Sequence, residues 1–485
     1  MKKIGYITFI LVILVFWGCE ENLQKYPKTQ ITEGNFYKNE AQMQQAVNEV
    51  QRELANYYDA DGVVDFYGEQ MSDNTKIKLV SGFAYTVVEI DKYRIDPENG
   101  DVEDAWNDSY NAIYKCNNVL HQIENANFEV NETKKERWKA QAIFVRSLIY
   151  FNMVRAWGAI PYIDKKITYE EAYDYLRIEP ATIYENLIED LNYCKGVLPE
   201  SWTGEDVGRV TKYAAAAVLA KIYLRLGQES DAQSELEFIM GSNRFSLDAN
   251  EDGAVDTNDF AHLFQPDVKN CKASILEAQY MGGQNAFNSD HQGSYAPFEW
   301  AFHLPGQDRA WRGSGFCTPS ENLINEFEPE DPRKELSLRE GYRNLDTDEW
   351  SQFPYTIKFY DPDWEFPGQN FEIIRYADIL LMYAKVTDDP QYLNMVRDRV
   401  GLPAYGSEDY PSDKYPNLDL AIEHERRVEL AFEMHRFFDL TRNGRALEVI
   451  AKNRPDLELS EYELLWPIPQ DAIDVNPELS QNSGY

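Results

Sequence analysis

Apolar positions along this chain follow three different rules. At the start, Lys2 and Lys3 precede an uncharged, mostly apolar run over residues 4–17. Helical spacing follows. Between residues 39 and 58, Met43, Ala46, Val47, Val50 and Leu54 recur at the period of a helix with one buried face. The same period predicts helices over residues 101–125 and 133–157, a third opened by Pro180 in its first turn and running to about Val197, and helical structure over 214–240. It returns over 372–386, 390–400, 418–434 and 436–451. Elsewhere the pattern breaks. Residues 59–100 and, more extensively, 260–368 mix turn formers with scattered rings, and 464–485 reads as an extended strap.

Within 214–240, Ala217, Ala220, Tyr223, Gly227 and Ala232 fall where two helices of a repeat interlock through small residues and reverse at a glycine. The expected fold class is therefore mainly α: a tetratricopeptide-like helical-repeat scaffold over about 35–245 and 370–452. A large irregular, loop-rich subdomain over about 260–368 and a C-terminal strap over 453–485 complete it. An irregular stretch of that length inside a folded protein is usually functional.

Composition narrows the function. A formal charge of −36 on 485 residues argues against nucleic acid, which is bound by releasing counterions to a basic surface. It equally argues against docking on anionic lipid through a basic patch. The 32 Tyr, 24 Phe and 10 Trp exceed ordinary core needs and suggest flat binding surfaces. Cys116, Cys194, Cys271 and Cys317 are sparse, with no metal-ligand spacing, and read as buried free thiols, one long-range disulfide being the alternative.

Residues 4–17 are too short for a comfortable membrane span, which needs about 20 residues. After two lysines they read as an export signal over residues 1–18. Gly18-Cys19 then marks Cys19 as the lipidated first residue of a tethered lipoprotein, with several acyl chains (palmitate among them) holding it to the membrane.

Catalytic signatures are scarce: no HExxH, GxSxG, P-loop or Rossmann glycine fingerprint occurs. Glu425, Arg426, Glu429 and Glu433 stand at ion-pair spacing on one helix, and Arg436 and Arg442 suit carboxylates of neighbouring helices; together they read as a structural charge network. One metal motif is sharp. Residues 248–259 have the spacing of an EF-hand calcium loop, with oxygens from Asp248, Asn250 and Asp252, the Ala254 carbonyl, then Asp256 and Asp259, and Gly253 at the bend. A structural Ca²⁺ is the expectation.

Three blocks resemble the SusD/RagB family of surface lipoproteins. They are Ile374-Arg375-Tyr376-Ala377-Asp378-Ile379-Leu380-Leu381-Met382-Tyr383-Ala384; Glu425-Arg426-Arg427-Val428-Glu429-Leu430-Ala431-Phe432-Glu433 with His435-Arg436-Phe437-Phe438-Asp439-Leu440; and Leu465-Trp466-Pro467-Ile468-Pro469. Gly34-Asn35-Phe36-Tyr37, Trp106 with Tyr110, and Asn117-Asn118 are similar too, so the resemblance covers nearly the whole mature chain. The short link over 385–390 departs from it, since the family often carries a longer segment there. The resemblance implies an outer-membrane, outward-facing protein without enzymatic activity. Such a protein captures oligosaccharide and delivers it to a SusC-like TonB-dependent transporter.

A sugar ring is held by stacking an aromatic ring on its C–H face while polar side chains meet its hydroxyl edge. Two segments have that composition, 67–93 and 295–316, and the resemblance places ligand-lining loops in the same regions. They supply the expected contacts Asp73, Asn74, Tyr85, Tyr295, Trp300, Arg309 and Trp311; Trp106 is expected to anchor the bundle instead. The alternatives are a peptide-binding member of the same family, a surface glycoside hydrolase built on a carboxylate pair, and a purely structural helical-repeat adaptor.

Overall fold

The computed structural model describes residues 35–78, 85–298, 313–344 and 346–485. Among them, helices of ten residues or more occupy two stretches. Glu40–Tyr57, Gly100–Glu124, Glu132–Trp157, Pro180–Val197, Lys212–Arg225 and Glu229–Met240 form the first; Tyr376–Thr387, Pro390–Arg399 and Leu418–Glu429 form the second. Their starting points are chemically marked. Asn39, Asn99, Asn131, Thr211 and Asn417 each accept a hydrogen bond from a first-turn N–H, satisfying donors that the helix itself leaves unpaired. Gly227, at φ +70°, lets the chain reverse between Lys212–Arg225 and Glu229–Met240.

From Gly100–Glu124 onward each long helix packs on the next, and Glu229–Met240 packs on Tyr376–Thr387, so the second stretch continues the first. The fold is mainly α, a helical-repeat scaffold of tetratricopeptide type. Among the described residues, helices between the two stretches are no longer than seven residues, and the strands pair only two by two.

Trp106 is buried edge-on against Trp157, and Trp157 against Trp466, with ring centroids 5.3 and 5.1 Å apart. Trp106 therefore anchors the bundle, and Trp466 brings the C-terminal strap into its core. The strap is tied by the Trp466 N–H to the Ala156 carbonyl (2.8 Å) and by the Asn482 amide to the Trp157 carbonyl (2.9 Å).

The single helix expected over 436–451 is two, Arg436–Arg442 and Ala446–Asn453, with Gly444 at φ 67° between them, and two other helices begin or end elsewhere than their periodicity predicts. Residues Phe371–Arg375 form a strand antiparallel to Ser274–Ala278, buried at every position, and the helix starts only at Tyr376. The second long helix of the pair ends at Glu429, not Met434. Phe432 and Met434 take φ values of 67° and 62°, with their N–H groups donated to the buried Glu69 carboxylate at 3.0 and 3.2 Å. A tertiary acceptor thus replaces the helical carbonyls and turns the chain.

Beside that turn lies a buried charge network. Glu429 accepts from Arg333, Arg375 and Arg399 at 3.0, 2.8 and 2.6 Å; Glu425 accepts from Arg333 and Arg397; Glu433 accepts from Arg375 and Lys358. Burial alone would raise the Glu429 pKa, yet Arg399, Arg375 and Arg333 hold it well below the usual carboxylate range. Arg436 reaches Asp73 on a distant segment, whereas Arg442 pairs with Asp439 on its own helix, a correction to the expected inter-helix partner. The charges are consumed by the fold, as expected, but not by pairs along one helix: Glu425, Glu429 and Glu433 take cations from other segments, and Arg426 pairs with Asp378 and Asp439.

Candidate ligand-binding site

The first of the two segments singled out in the sequence pairs with the chain just past the end of the second. Thr75–Lys76 pairs antiparallel with Thr318–Pro319, and the Ser320 N–H and hydroxyl donate to the Asn74 and Asp73 carbonyls at 2.8 and 2.7 Å. Just beyond, the Lys78 ammonium donates to the Gln352 carbonyl (3.0 Å) and sits 4.1 Å from the Phe353 ring centre. From the other segment, Gly315 at φ +71°, a conformation that favours glycine, lies against Phe298 and Phe353; a Cβ there would stand 3.1 Å from the Phe298 Cβ and touch the edge of the Phe353 ring. Phe353 is fully buried and clusters with Ala296, Tyr342 and Tyr355. Three parts of the chain, at Lys78, at Ala296, Phe298 and Gly315, and over 342–355, therefore converge on one aromatic.

The expected contact residues divide. Asp73 has no exposed surface; Arg436 (2.7 Å), Arg427 (2.9 Å) and Asn453 (2.7 Å) surround its carboxylate. Burial opposes its charge, but the two arginines hold its pKa well below the ordinary value. Asn74 is also buried, donating to Glu69 and accepting from Arg427, each at 2.9 Å. The buried Tyr295 hydroxyl donates to Asp65 at 2.7 Å. These three side chains build the frame rather than face a ligand, which corrects the expectation: their polar atoms are already matched inside the protein, and withdrawing them would leave buried charges uncompensated. Tyr85 is 74% exposed and stays available. Trp300, Arg309 and Trp311 lie outside the described residues, as does Cys19.

Two features were not singled out from sequence. Trp350 is 62% exposed on the hairpin that leads into Phe353. A cleft of about 360 Å³ opens between the end of Glu40–Tyr57 and the Gly100–Glu124 helix, lined by Glu53, Asp59, Asp61, Asp104, Asp108 and Lys115. Desolvation pushes Asp59 up to about 6, and desolvation followed by the nearby Asp65 and Asp290 charges pushes Asp61 up to about 8. His291, beside Asp59, is buried and pushed down to about 4 by desolvation; its nitrogens are engaged by the Ser289 hydroxyl and the Tyr58 carbonyl, both at 2.9 Å. It is neutral at pH 7 and committed to structure. An exposed indole offers a flat face to the C–H side of a sugar ring.

In the 248–259 loop the turns follow the motif. Gly253 takes φ +90°, the Asn250 and Asp252 side chains each accept an N–H two residues on, and Asp248 accepts the Gly253 N–H at 3.1 Å. The second Asp248 oxygen is buried without a partner. Asp259 spends its oxygens on the N–H groups of Ala249, Asn250 and Asp256, and Asp256 caps the short Thr257–Leu263 helix. Among the described residues no group of three or more His, Cys, Asp or Glu side chains is gathered closely enough to hold a metal. The loop's shape and the orphan Asp248 oxygen fit calcium; its donors stand apart. Cys116, Cys194, Cys271 and Cys317 are free thiols, all but Cys271 buried.

Comparison with known proteins follows the same lines. A profile of the SusD family matches residues 364–485, and one described as "Starch-binding associating with outer membrane" matches residues 24–224. SusD-like proteins P25 and P2 of Formosa agariphila are each 27% identical to this chain over the full length of both partners. Among solved structures, a laminarin binding SusD-like protein superposes with a TM-score of 0.77 at 24% identity, covering 93% of this chain and 100% of that one. Surface glycan-binding protein A from Bacteroides thetaiotaomicron, in complex with laminarihexaose, gives 0.75 at 22% identity, covering 91% and 99%. At these identities the structural likenesses establish the fold.

Proposed function

The chain belongs to the SusD/RagB family, and from that premise we propose that it is a surface lipoprotein that binds oligosaccharide without transforming it and hands it to a TonB-dependent outer-membrane transporter. The observation that carries this reading is the convergence of the two ring-rich segments at Phe353, next to the exposed Trp350. The ligands of two structurally similar proteins, laminarin and laminarihexaose, support a glycan. The description of the N-terminal profile supports the outer membrane. No helix among the described residues is long and apolar enough to cross a membrane; in this reading acyl chains on Cys19 do the holding.

Calorimetric titration of the purified protein with a panel of oligosaccharides and peptides, alongside an assay for released reducing ends, tests the reading. Binding of a glycan at roughly micromolar to millimolar Kd, with no reducing ends released, is expected. Binding of peptides alone would move the protein to the peptide-delivering alternative. The raised carboxylates Asp59 and Asp61 favour a second reading as a hydrolase, because a carboxylic acid kept protonated near neutral pH is what glycosidic cleavage needs. Release of reducing ends that stops in Asp61→Asn would establish it.

Calcium belongs to the proposal as a structural ion of the 248–259 loop. It rests on the ligand spacing and on the unpartnered Asp248 oxygen. Calcium titration is expected to give heat with the wild type and none with Asp248→Ala; equal heats from the two proteins would remove the ion from the account.

A further inference from the structure

Trp350 stands out because the protein spends structure on keeping an indole in water. It lies on the strand Trp350–Ser351, paired antiparallel with Tyr342–Arg343. Alternation along this hairpin sends Tyr342 into the buried cluster around Phe353 and leaves Trp350, opposite Arg343, on the outer face. The turn is closed by the Asn344 N–H to the Glu349 carbonyl (2.9 Å), while the Asn344 side chain accepts from Asp346 and Thr347. Two further contacts fix the ring. Its N–H donates to the Gln352 side-chain oxygen at 3.1 Å, and the Gln352 amide in turn donates to the Glu340 carbonyl at 3.1 Å. Its six-membered ring rests against the backbone of Gly341, where a Cβ would stand 2.7 Å from the nearest ring carbon. Gly341 is required by the Ser351 carbonyl, which its would-be Cβ would overlap, as well as by the indole, and the same bare backbone gives the ring a flat seat while the braced hydrogen bond on its nitrogen fixes its orientation.

The surroundings restrict what such a ring can receive. The cation opposite Trp350 on the hairpin, Arg343, is already paired with Asp348 at 2.6 Å. The protein as a whole carries −36, which repels polyanions. Two residues on, the Gln352 carbonyl receives Lys78, joining the hairpin to the first of the two ring-rich segments.

We infer that Trp350 is a preorganised stacking platform for one pyranose ring of a neutral oligosaccharide, placed at the rim where the irregular segments converge. Flat C–H faces of a pyranose suit the indole, and a ring already fixed loses little freedom on binding. The inference rests on the glycan-binding reading above and assigns it a residue and a ligand class.

Wild type, Trp350→Ala and Trp350→Phe are compared by calorimetric titration with laminarihexaose, cellohexaose, maltohexaose and a galacturonic acid hexamer, each protein also being melted. The expected result is binding of at least one neutral hexamer by wild type. Trp350→Ala then weakens it about 5- to 20-fold, the range for an aromatic contact plus its buried area, while Trp350→Phe retains most of the affinity and all melting temperatures agree. Equal binding by wild type and Trp350→Ala overturns the platform and leaves glycan capture standing. A fall in melting temperature matching the loss of affinity reassigns the ring to structure, and preference for the galacturonic acid hexamer overturns the neutral class. Failure of wild type to bind any of the four hexamers or any glycan of the wider panel overturns glycan capture itself.

Discussion

Glu429→Ala is expected to destabilise the folded protein by about 3–5 kcal/mol, the cost of leaving buried charges without their counter-charge. Glu429 has no exposed surface and receives three guanidinium groups, those of Arg333, Arg375 and Arg399. Arg375 keeps Glu433, and Arg333 keeps Asp331 and Glu425, but the Arg399 guanidinium has Glu429 as its one hydrogen-bonded carboxylate among the described residues. Removing the glutamate strands that cation in the core. The midpoint of urea unfolding should fall accordingly. Glu335→Ala, which breaks an exposed pair with Arg339, should move it by no more than about 0.5 kcal/mol. An unchanged midpoint for Glu429→Ala would show that the network adds nothing to stability.

Gly68→Ala comes next, with an expected loss of about 1–3 kcal/mol or more from over-packing. Gly68 sits in the helical turn Phe66–Gln70, under the turn that precedes Arg436–Arg442. A methyl group there would overlap the Met434 carbonyl oxygen and stand 2.9 Å from the Phe438 ring. Neither neighbour can yield easily. Met434 is already at φ 62° with its N–H held by Glu69, and Phe438 packs against both Tyr67 and the Arg155 guanidinium. Gly196→Ala provides the contrast: it lies in the Pro180–Val197 helix with nothing near its would-be Cβ, and should be neutral or stabilising by about 0.5–1 kcal/mol. Thermal melts of the two variants read the difference, and similar melting temperatures would contradict the packing described.

Most of the helical scaffold was legible in the chain because it depends on neighbours three and four positions away. Val47, Val50 and Leu54 point one way whatever else the protein does, and Asn39 or Thr211 announces a helix start with its own side chain. The misread boundaries depend on partners far off. Phe371–Arg375 becomes a strand because Ser274–Ala278 lies beside it, and the chain turns after Glu429 because Glu69, 363 residues before Phe432, accepts its N–H.

The site was legible as two regions and poorly as residues. Asp73 and Asn74 have the chemistry that sugar hydroxyls want, but Arg427 and Arg436 want it too, and only the fold shows that those arginines arrive first. Tyr295 was taken inward by Asp65. Trp350 was visible as one ring among many; its exposure follows from strand alternation that sets it opposite Arg343 and on the other face from Tyr342, which a two-residue strand is too short to betray.

Hydrogen exchange measured with and without a saturating glycan from the panel tests the central claim most directly. Slowed exchange confined to peptides covering residues 67–93, 295–316 and 342–353 is the predicted result. Protection centred on the helices between Gly100 and Met240, with those three stretches unchanged, would contradict it.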